Sequence, residues 1–139
     1  MTTDMTEFAR GIFQSQPFSQ FLGAELTAVG EDSAEIRVQN RKELQQQHGF
    51  IHGGVISYLA DNALTFAGGL ALKGDALTAE YKINYAKPAL GETIIARATA
   101  VVTTRRQAVC TCSIFAVNGD EEKLVAVAQG TIVAADKKN

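Results

Sequence analysis

The sequence predicts an α+β fold in which an antiparallel β-sheet curls around one long central α-helix. The stretch from Gly53 to Leu72 contains no proline and repeats apolar residues at helical spacing. From Leu77 onward the apolar period changes to two, which indicates successive strands. The predicted helix is apolar on nearly every side, which is typical of a helix enclosed by a sheet.

One domain is expected, spanning residues 1–139, because a chain of 139 residues can bury a core of its own. Within it, residues 1–23 are expected to form an N-terminal helical segment. Apolar residues make up 46% of the chain and charged residues 20%, so a disordered chain is not expected. The central helix contains Asp61, Asn62 and Thr65, and is therefore not expected to span a membrane.

Composition also bears on compartment and partners. The amino terminus has acids where a signal peptide would have lysines, which predicts a cytoplasmic protein. Cys110 and Cys112 are separated by one residue of a predicted strand, where a disulfide would be strained, so reduced core thiols are expected. The formal net charge of −2 provides no field for nucleic acid or an anionic membrane.

The N-terminal segment is predicted to begin with one helix over Thr3 to Gln16, which Pro17 ends. The stretch from Pro17 to Gly23 then combines aromatic and aliphatic residues. It either packs on a sheet edge or covers an apolar cavity, and the sequence leaves both open. Its large apolar residues are Phe18, Phe21 and Leu22.

A first hairpin is expected from Ala24 to Gly30 and from Ser33 to Val38. After the central helix, four strands are expected as a meander in which each strand pairs with the next. Their predicted ranges are Leu77–Tyr85, Glu92–Thr104, Ala108–Val117 and Lys123–Val133.

Two of these strands have informative faces. In the second, Ala96, Ala98 and Ala100 share one side, where they leave room for a helix to approach closely. In the first, strict alternation places five side chains on one face of the strand. These are Leu77, Ala79, Tyr81, Ile83 and Tyr85.

Asp61 lies in the middle of the central helix, where burial of a carboxylate is costly unless the group is paired, hydrogen-bonded or protonated. It could simply bond a polar neighbour or face a subunit interface. However, Thr65 lies one turn further on the same face, and Gly53 and Gly54 leave backbone N–H groups open at the helix start. A carboxylate, a hydroxyl and an oxyanion hole are the parts of an acyl-transfer site.

The spacing within the helix adds a constraint. Gly53 and Asp61 are eight residues apart, which is ~12 Å along a helix and beyond the reach of an Asp side chain. If both act on one substrate, two helices must run antiparallel across a two-fold axis. The sequence therefore predicts a homodimer with two equivalent sites.

The helix start also carries a motif: a polar amide, a glycine, His-Gly-Gly, and an acid nine residues after the His. Its residues here are Gln46, Gly49, His52, Gly53, Gly54 and Asp61. From about Gln45 to Ala89, and in the strand order beyond, the chain resembles the hotdog-fold acyl-CoA thioesterases, specifically the branch related to the phenylacetate-pathway thioesterases. That family often has Asn at the position of Gln46 and has Gln in aryl-CoA members.

The resemblance implies that the Gly53 amide polarises the thioester carbonyl, while Asp61 of the other subunit acts as nucleophile or general base. The hydroxyl that positions the attacking water is either Thr65 or Thr78. His52 either orients the loop or bonds the thioester, or makes only a structural bond at the helix start.

Further roles are expected around this centre. Gln46 is expected near the acid or the carbonyl, and Gly54 next to the substrate. The phosphates of coenzyme A are expected to meet Lys87, Arg105 and Arg106, although charges at strand ends are commonly just solvated.

The expected activity is hydrolysis of an acyl- or aroyl-CoA thioester to the free acid and coenzyme A, by a homodimer or homotetramer. No cofactor is expected beyond the coenzyme A of the substrate, and no nucleic acid or membrane partner. A metal site at His48 and His52 is disfavoured because the intervening glycines break the helix that would align them.

Three other functions compete with hydrolysis. The first is a non-catalytic acyl-CoA binding or sensing dimer, which would not need Asp61 together with a hydroxyl. The second is hydration or dehydration of acyl thioesters, which by resemblance would need a different His and acid motif that is not found. The third is a purely structural dimer.

Overall fold

The computed structural model describes residues 3–135, so the predicted domain 1–139 extends beyond the described part at both ends. The described helices are α1 (Thr3–Gln14), α2 (Pro17–Leu22) and α3 (Gly53–Leu72), with a 3-10 turn at Lys42–Leu44. The described strands are β1 (Glu25–Val29), β2 (Ser33–Gln39), β3 (Ala76–Tyr85), β4 (Thr93–Thr103), β5 (Gln107–Asn118) and β6 (Glu121–Ala134).

All six strands form one antiparallel sheet in the order β1-β2-β4-β5-β6-β3. The prediction of a four-stranded meander is therefore wrong for β3, which pairs with β6 and not with β4. The connection at residues 86–92 contains Pro88 and Gly91 and is too long for a tight hairpin. It carries the chain from the edge of the sheet to its centre, where β4 pairs with β2.

Helix α3 crosses the sheet, as predicted, and has the predicted bounds. By length and composition alone it could cross a membrane, but residues such as Leu59 and Ala63 are fully buried inside the protein. Ala96 and Ala98 of β4 are buried on its side, as expected for a close approach. Helix α3 also approaches β6 closely at Gly68, where a Cβ would lie 2.5 Å from Ile132 Cβ.

A β-bulge in β3 changes which side chains face α3. The register shifts between Thr78 and Glu80, so Thr78 and Tyr81 both turn towards the helix. Leu77, with 63% of its surface exposed, does not face the helix. The predicted alternation across β3 is wrong at this end, because sequence spacing alone does not reveal an extra residue in a strand.

The N-terminal segment contains two helices where one was predicted. Pro17 does end the first, but it also begins α2, because an N–H at the first helical position has no intrahelical acceptor and proline loses nothing by lacking one. Gly23 ends α2 with φ +72°, a left-handed conformation that glycine adopts readily. The segment packs along α3, and the ring of Phe13 contacts the ring of Phe66 at 5.6 Å between centroids.

Candidate active site

The start of α3 presents one unused backbone donor. His52 is the N-cap, and its Nδ1 accepts a hydrogen bond from the N–H of Gly54 at 2.8 Å. Gly53, at the first helical position, has no intrahelical acceptor, and no other described residue accepts from its N–H. The predicted pair of open glycine amides is thus reduced to the Gly53 amide, at the positive end of the helix dipole.

The bond to Gly54 assigns His52 a structural role and fixes its neutral tautomer. Because Nδ1 accepts, the ring proton of the neutral imidazole lies on Nε2. His52 is exposed, so that N–H faces solvent beside the helix start.

Tyr85, at the end of β3, holds the same turn from the other side. Its hydroxyl donates to the carbonyl oxygen of Gly53 at 3.2 Å. This contact is not predicted from the sequence. Spacing along β3 places Tyr85 near the end of the strand but does not show that this end meets the start of α3.

The second centre lies where α3 faces β3. Thr78 Oγ1 donates to Asp61 Oδ1 at 2.7 Å. Thr65 Oγ1 lies 3.5 Å from the same oxygen and donates to the Asp61 backbone carbonyl at 2.7 Å, an ordinary bond within a helix. The two threonine hydroxyls are 2.6 Å apart. Both candidate hydroxyls therefore lie at Asp61, and that of Thr78 is the closer to its carboxylate.

Asp61 is only partly buried in the single chain, which corrects the expectation of a buried acid. The physical reason is its position. Asp61 faces β3, which is an edge strand, and among residues 3–135 no further element covers that side.

Gln46 does not reach Asp61 or the start of α3 within one chain. Its Oε1 accepts from the backbone N–H of His48 at 2.6 Å and of Phe50 at 3.3 Å. These bonds close the loop that leads into α3, where Gly49 has φ +87°. Within the described chain, Gln46 shapes this loop.

The three basic residues lie at opposite ends of the sheet. Lys87 follows the end of β3 that carries Tyr85, and so lies at the Gly53 end of α3. Arg105 and Arg106 connect β4 and β5 at the other end, where the Ala134 amide donates to the Arg106 carbonyl. They do not converge on Gly53 of the same chain.

An open cavity of about 540 Å³ adjoins the start of α3. Helix α2 supplies the aromatic part of its wall, which favours the predicted alternative in which the Pro17–Gly23 stretch borders an apolar cavity. The residues that line the cavity include Phe18, Phe21, Leu22, Arg41, Glu43 and Val55. Within residues 3–135, no group of three His, Cys, Asp or Glu side chains is placed to hold a metal ion.

Comparison with known proteins agrees with this geometry. A family model described as the thioesterase superfamily matches residues 48–123. The solved structure of a thioesterase family protein from Silicibacter pomeroyi is 31% identical, with 92% of this chain and 96% of that chain covered and a TM-score of 0.86.

Two further solved structures are similar. The phenylacetic acid degradation protein PaaI from Thermus thermophilus is 30% identical, with 86% of this chain and 100% of that chain covered and a TM-score of 0.76. A thioesterase from Haemophilus influenzae is 28% identical, with 88% and 86% covered and a TM-score of 0.77. A search of curated proteins found no match. The chain belongs to the thioesterase superfamily, has its hotdog fold, and is a thioester hydrolase.

Proposed function

We propose that the protein hydrolyses an acyl- or aroyl-CoA thioester at a site built from two chains. The observation that carries this proposal is the separation of two prepared groups on one helix. The free amide of Gly53 and the hydrogen-bonded carboxylate of Asp61 are eight residues, or ~12 Å, apart on α3. A second copy in antiparallel orientation would bring one chain's Asp61 to the other chain's Gly53.

Each group has a defined task in this reaction. The Gly53 N–H donates to the thioester carbonyl oxygen and stabilises the negative charge that develops there. Asp61 either removes a proton from the water that attacks the carbonyl carbon, or attacks that carbon itself and is released by water. In both cases the carbon–sulfur bond breaks, and coenzyme A leaves as a thiol.

Thr78 sets which oxygen of Asp61 reacts. Because Oδ1 accepts the Thr78 hydroxyl, Oδ2 is the oxygen left to act on water or substrate. Thr65 Oγ1 lies 2.6 Å from the Thr78 hydroxyl oxygen, and its proton can turn from the Asp61 carbonyl to that oxygen, so Thr65 supports Thr78. We therefore assign the working hydroxyl to Thr78, and a supporting role to Thr65.

The edge strand β3 supports the two-chain site. It is long, and its outer side is unpaired in the single chain, with Leu77 and Tyr85 more than half exposed. An exposed edge of this kind favours pairing with another strand. Pairing of two copies at β3 would cover the accessible side of Asp61, and two such dimers would form the expected homotetramer.

The same arrangement suggests how coenzyme A is held. Lys87 lies at the Gly53 end of its own chain, whereas Arg105 and Arg106 lie at the other end. In an antiparallel pair, the end of one chain that carries Arg105 and Arg106 lies beside the start of α3 in the partner chain. The phosphates of one coenzyme A would then meet Lys87 of one chain and the two arginines of the other.

The experiment uses a substitution that removes the proposed donor alone. Gly53→Pro deletes the N–H at the first helical position, where proline is tolerated, and His52 has the extended conformation that proline requires before it (φ −61°, ψ 137°). Gly53→Ala is the matched control, because it keeps the N–H and its Cβ meets only the Tyr85 ring at 3.6 Å.

Release of free thiol is measured against a panel of acyl-CoA and aroyl-CoA thioesters. We expect wild type and Gly53→Ala to hydrolyse at least one class and Gly53→Pro to lose ~100-fold or more in kcat. Wild type that binds these thioesters without releasing thiol would be a binding protein and would overturn the proposal.

A further inference from the structure

A closed set of polar side chains joins the N-terminal segment to α3. Ser19 is fully buried, and its hydroxyl lies 2.7 Å from Gln16 Oε1 and 2.5 Å from the Tyr58 hydroxyl. The amide nitrogen of Asn62 donates to Gln16 Oε1 at 2.9 Å and lies 3.2 Å from the Tyr58 hydroxyl oxygen. We call these four residues the polar clamp.

The available acceptors fix the direction of the hydroxyl hydrogen bonds in the polar clamp. Ser19 donates to Gln16 Oε1, which cannot donate, so Tyr58 must donate to Ser19. Asn62 donates one hydrogen to Gln16, and its other hydrogen has the Tyr58 oxygen at 3.2 Å and the Ser19 oxygen at 3.3 Å as acceptors. Burial raises the pKa of Tyr58, which keeps its hydroxyl protonated as a donor. Removal of any one member leaves partly buried polar atoms without partners.

The polar clamp fixes the position of α2. Ser19 lies within this short helix, and the Phe18 ring packs edge-on against the Tyr58 ring at 5.3 Å between centroids. The far end of α2 is held by Arg41, whose Nη2 donates to the Phe21 carbonyl at 3.0 Å.

Helix α2 is in turn a wall of the cavity at the start of α3. Phe18 and Phe21 line it with 57% and 74% of their surfaces exposed, opposite Val55 of α3. The charges on the lining are Arg41 and Glu43, which lie 3.9 Å from each other and so offset one another. An apolar cavity with balanced charge beside the Gly53 amide suits the acyl part of a thioester better than its phosphates.

We propose that α2 is the wall that selects the acyl group, and that Asn62 is the positioning residue that sets this wall through Gln16 and Ser19. The proposal rests on the proposed function of the site. Asn62 follows Asp61 directly, but it faces the N-terminal segment while Asp61 faces β3. One turn of α3 thus carries the carboxylate on one side and the control of selectivity on the other.

The test compares the hydrolysis of acetyl-CoA with that of octanoyl-CoA and benzoyl-CoA. The acetyl group is too small to extend far into the cavity, whereas the octanoyl and benzoyl groups would fill it. Asn62→Leu and Tyr58→Phe each remove polar clamp bonds with little change in shape. We expect kcat for acetyl-CoA to stay within about threefold of wild type, while the preference in kcat/KM for the larger thioesters falls about tenfold, mainly through KM. Phe21→Ala, which alters the wall directly, should shift the preference comparably.

Tyr81→Phe is the matched control. Like Tyr58→Phe, it removes a hydrogen bond between a tyrosine and a serine. This bond joins Tyr81 of β3 to Ser57 of α3, and so lies on the β3 side of the helix. The ratio between large and small thioesters should not change in this variant. An unchanged ratio in Asn62→Leu and Tyr58→Phe, or an equal change in Tyr81→Phe, would overturn the proposal.

A binding measurement separates this proposal from the proposed hydrolysis. Wild type should bind the thioether S-octyl-CoA at least about tenfold more tightly than coenzyme A, and Asn62→Leu should lose most of that difference while it keeps its affinity for coenzyme A. Equal affinities in wild type would contradict the acyl-selecting wall. Absence of thiol release together with this binding difference would overturn only the hydrolytic function.

Discussion

A reactive carboxylate such as Asp61 must be held in place, but without a cationic partner that would neutralise its charge. The Thr78 hydroxyl holds it with one hydrogen bond to Oδ1 and adds no charge. Asp61→Asn keeps the shape and removes the charge. We expect this variant to fold and to self-associate as wild type does, and to lose ~100-fold or more in kcat. Steady-state thiol release checks this, and turnover within threefold of wild type would contradict the assignment.

The two threonines should differ in their effects. Thr78→Val removes a bond to an ionised group and should lower kcat about 10-fold to 100-fold. Thr65→Val mainly removes a bond to a helix carbonyl and should lower kcat less than about threefold. The matched pair is measured with one substrate. A larger loss in Thr65→Val than in Thr78→Val would reverse the assignment.

The residue types of the site could be predicted, but not all of their contacts. An acid in an apolar helix identified Asp61, and the glycine motif identified the helix start. The choice between Thr65 and Thr78 could not be made, because it depends on the β-bulge at Thr78, which alternation along β3 does not show.

The cysteines of β5 provide a test of burial at the residue scale. Cys110 and Cys112 are free thiols, as predicted, and burial raises their pKa values to about 11 and about 12. Thiolate is the reactive form, so little of either reacts near pH 8 in the folded protein. Iodoacetamide followed by mass spectrometry should label neither residue in native protein, and both in urea. Rapid labelling of native protein would show that β5 is not buried as described.

At the scale of elements, the contact of α3 with β6 leaves no room for a side chain at Gly68. Gly68→Ala would place a Cβ 2.5 Å from Ile132 Cβ and should lower the free energy of unfolding by about 1–3 kcal/mol. Gly11→Ala is the control. It lies in exposed α1 with nothing within 4 Å, and should raise that free energy by ~0.5–1 kcal/mol. Urea unfolding measures both, and a neutral Gly68→Ala would contradict the close approach.

The bounds of the helices and strands could be predicted from local sequence patterns more accurately than the pairing of the strands. The bounds of α3 match the prediction because its flanks carry strong local signals, the His-Gly-Gly start and the turn at Lys73 and Gly74. The partner of β3 could not be predicted in this way. It depends on where a long connection leads the chain, and therefore on packing against α3.

At the scale of the whole molecule, the proposed site is one that a single chain cannot complete. Within the described residues, α3 has its free amide at one end and its carboxylate in the middle, and the carboxylate faces an uncovered edge strand. The dimer is a prediction from helix geometry, and the two-chain site proposed here depends on it. The polar clamp could not be predicted, because it joins Gln16 and Ser19 to residues far along the sequence.

The measurement that tests the shared site most directly is complementation between two inactive variants. Gly53→Pro lacks the amide donor and Asp61→Asn lacks the carboxylate, and each alone should be nearly inactive. The variants are mixed in equal amounts, unfolded and refolded together, and heterodimers are counted by native mass spectrometry. About half of all dimers should then contain one intact site and one doubly altered site, which restores roughly a quarter of wild-type activity. Heterodimers that form in that proportion and remain inactive would show that the site lies within one chain.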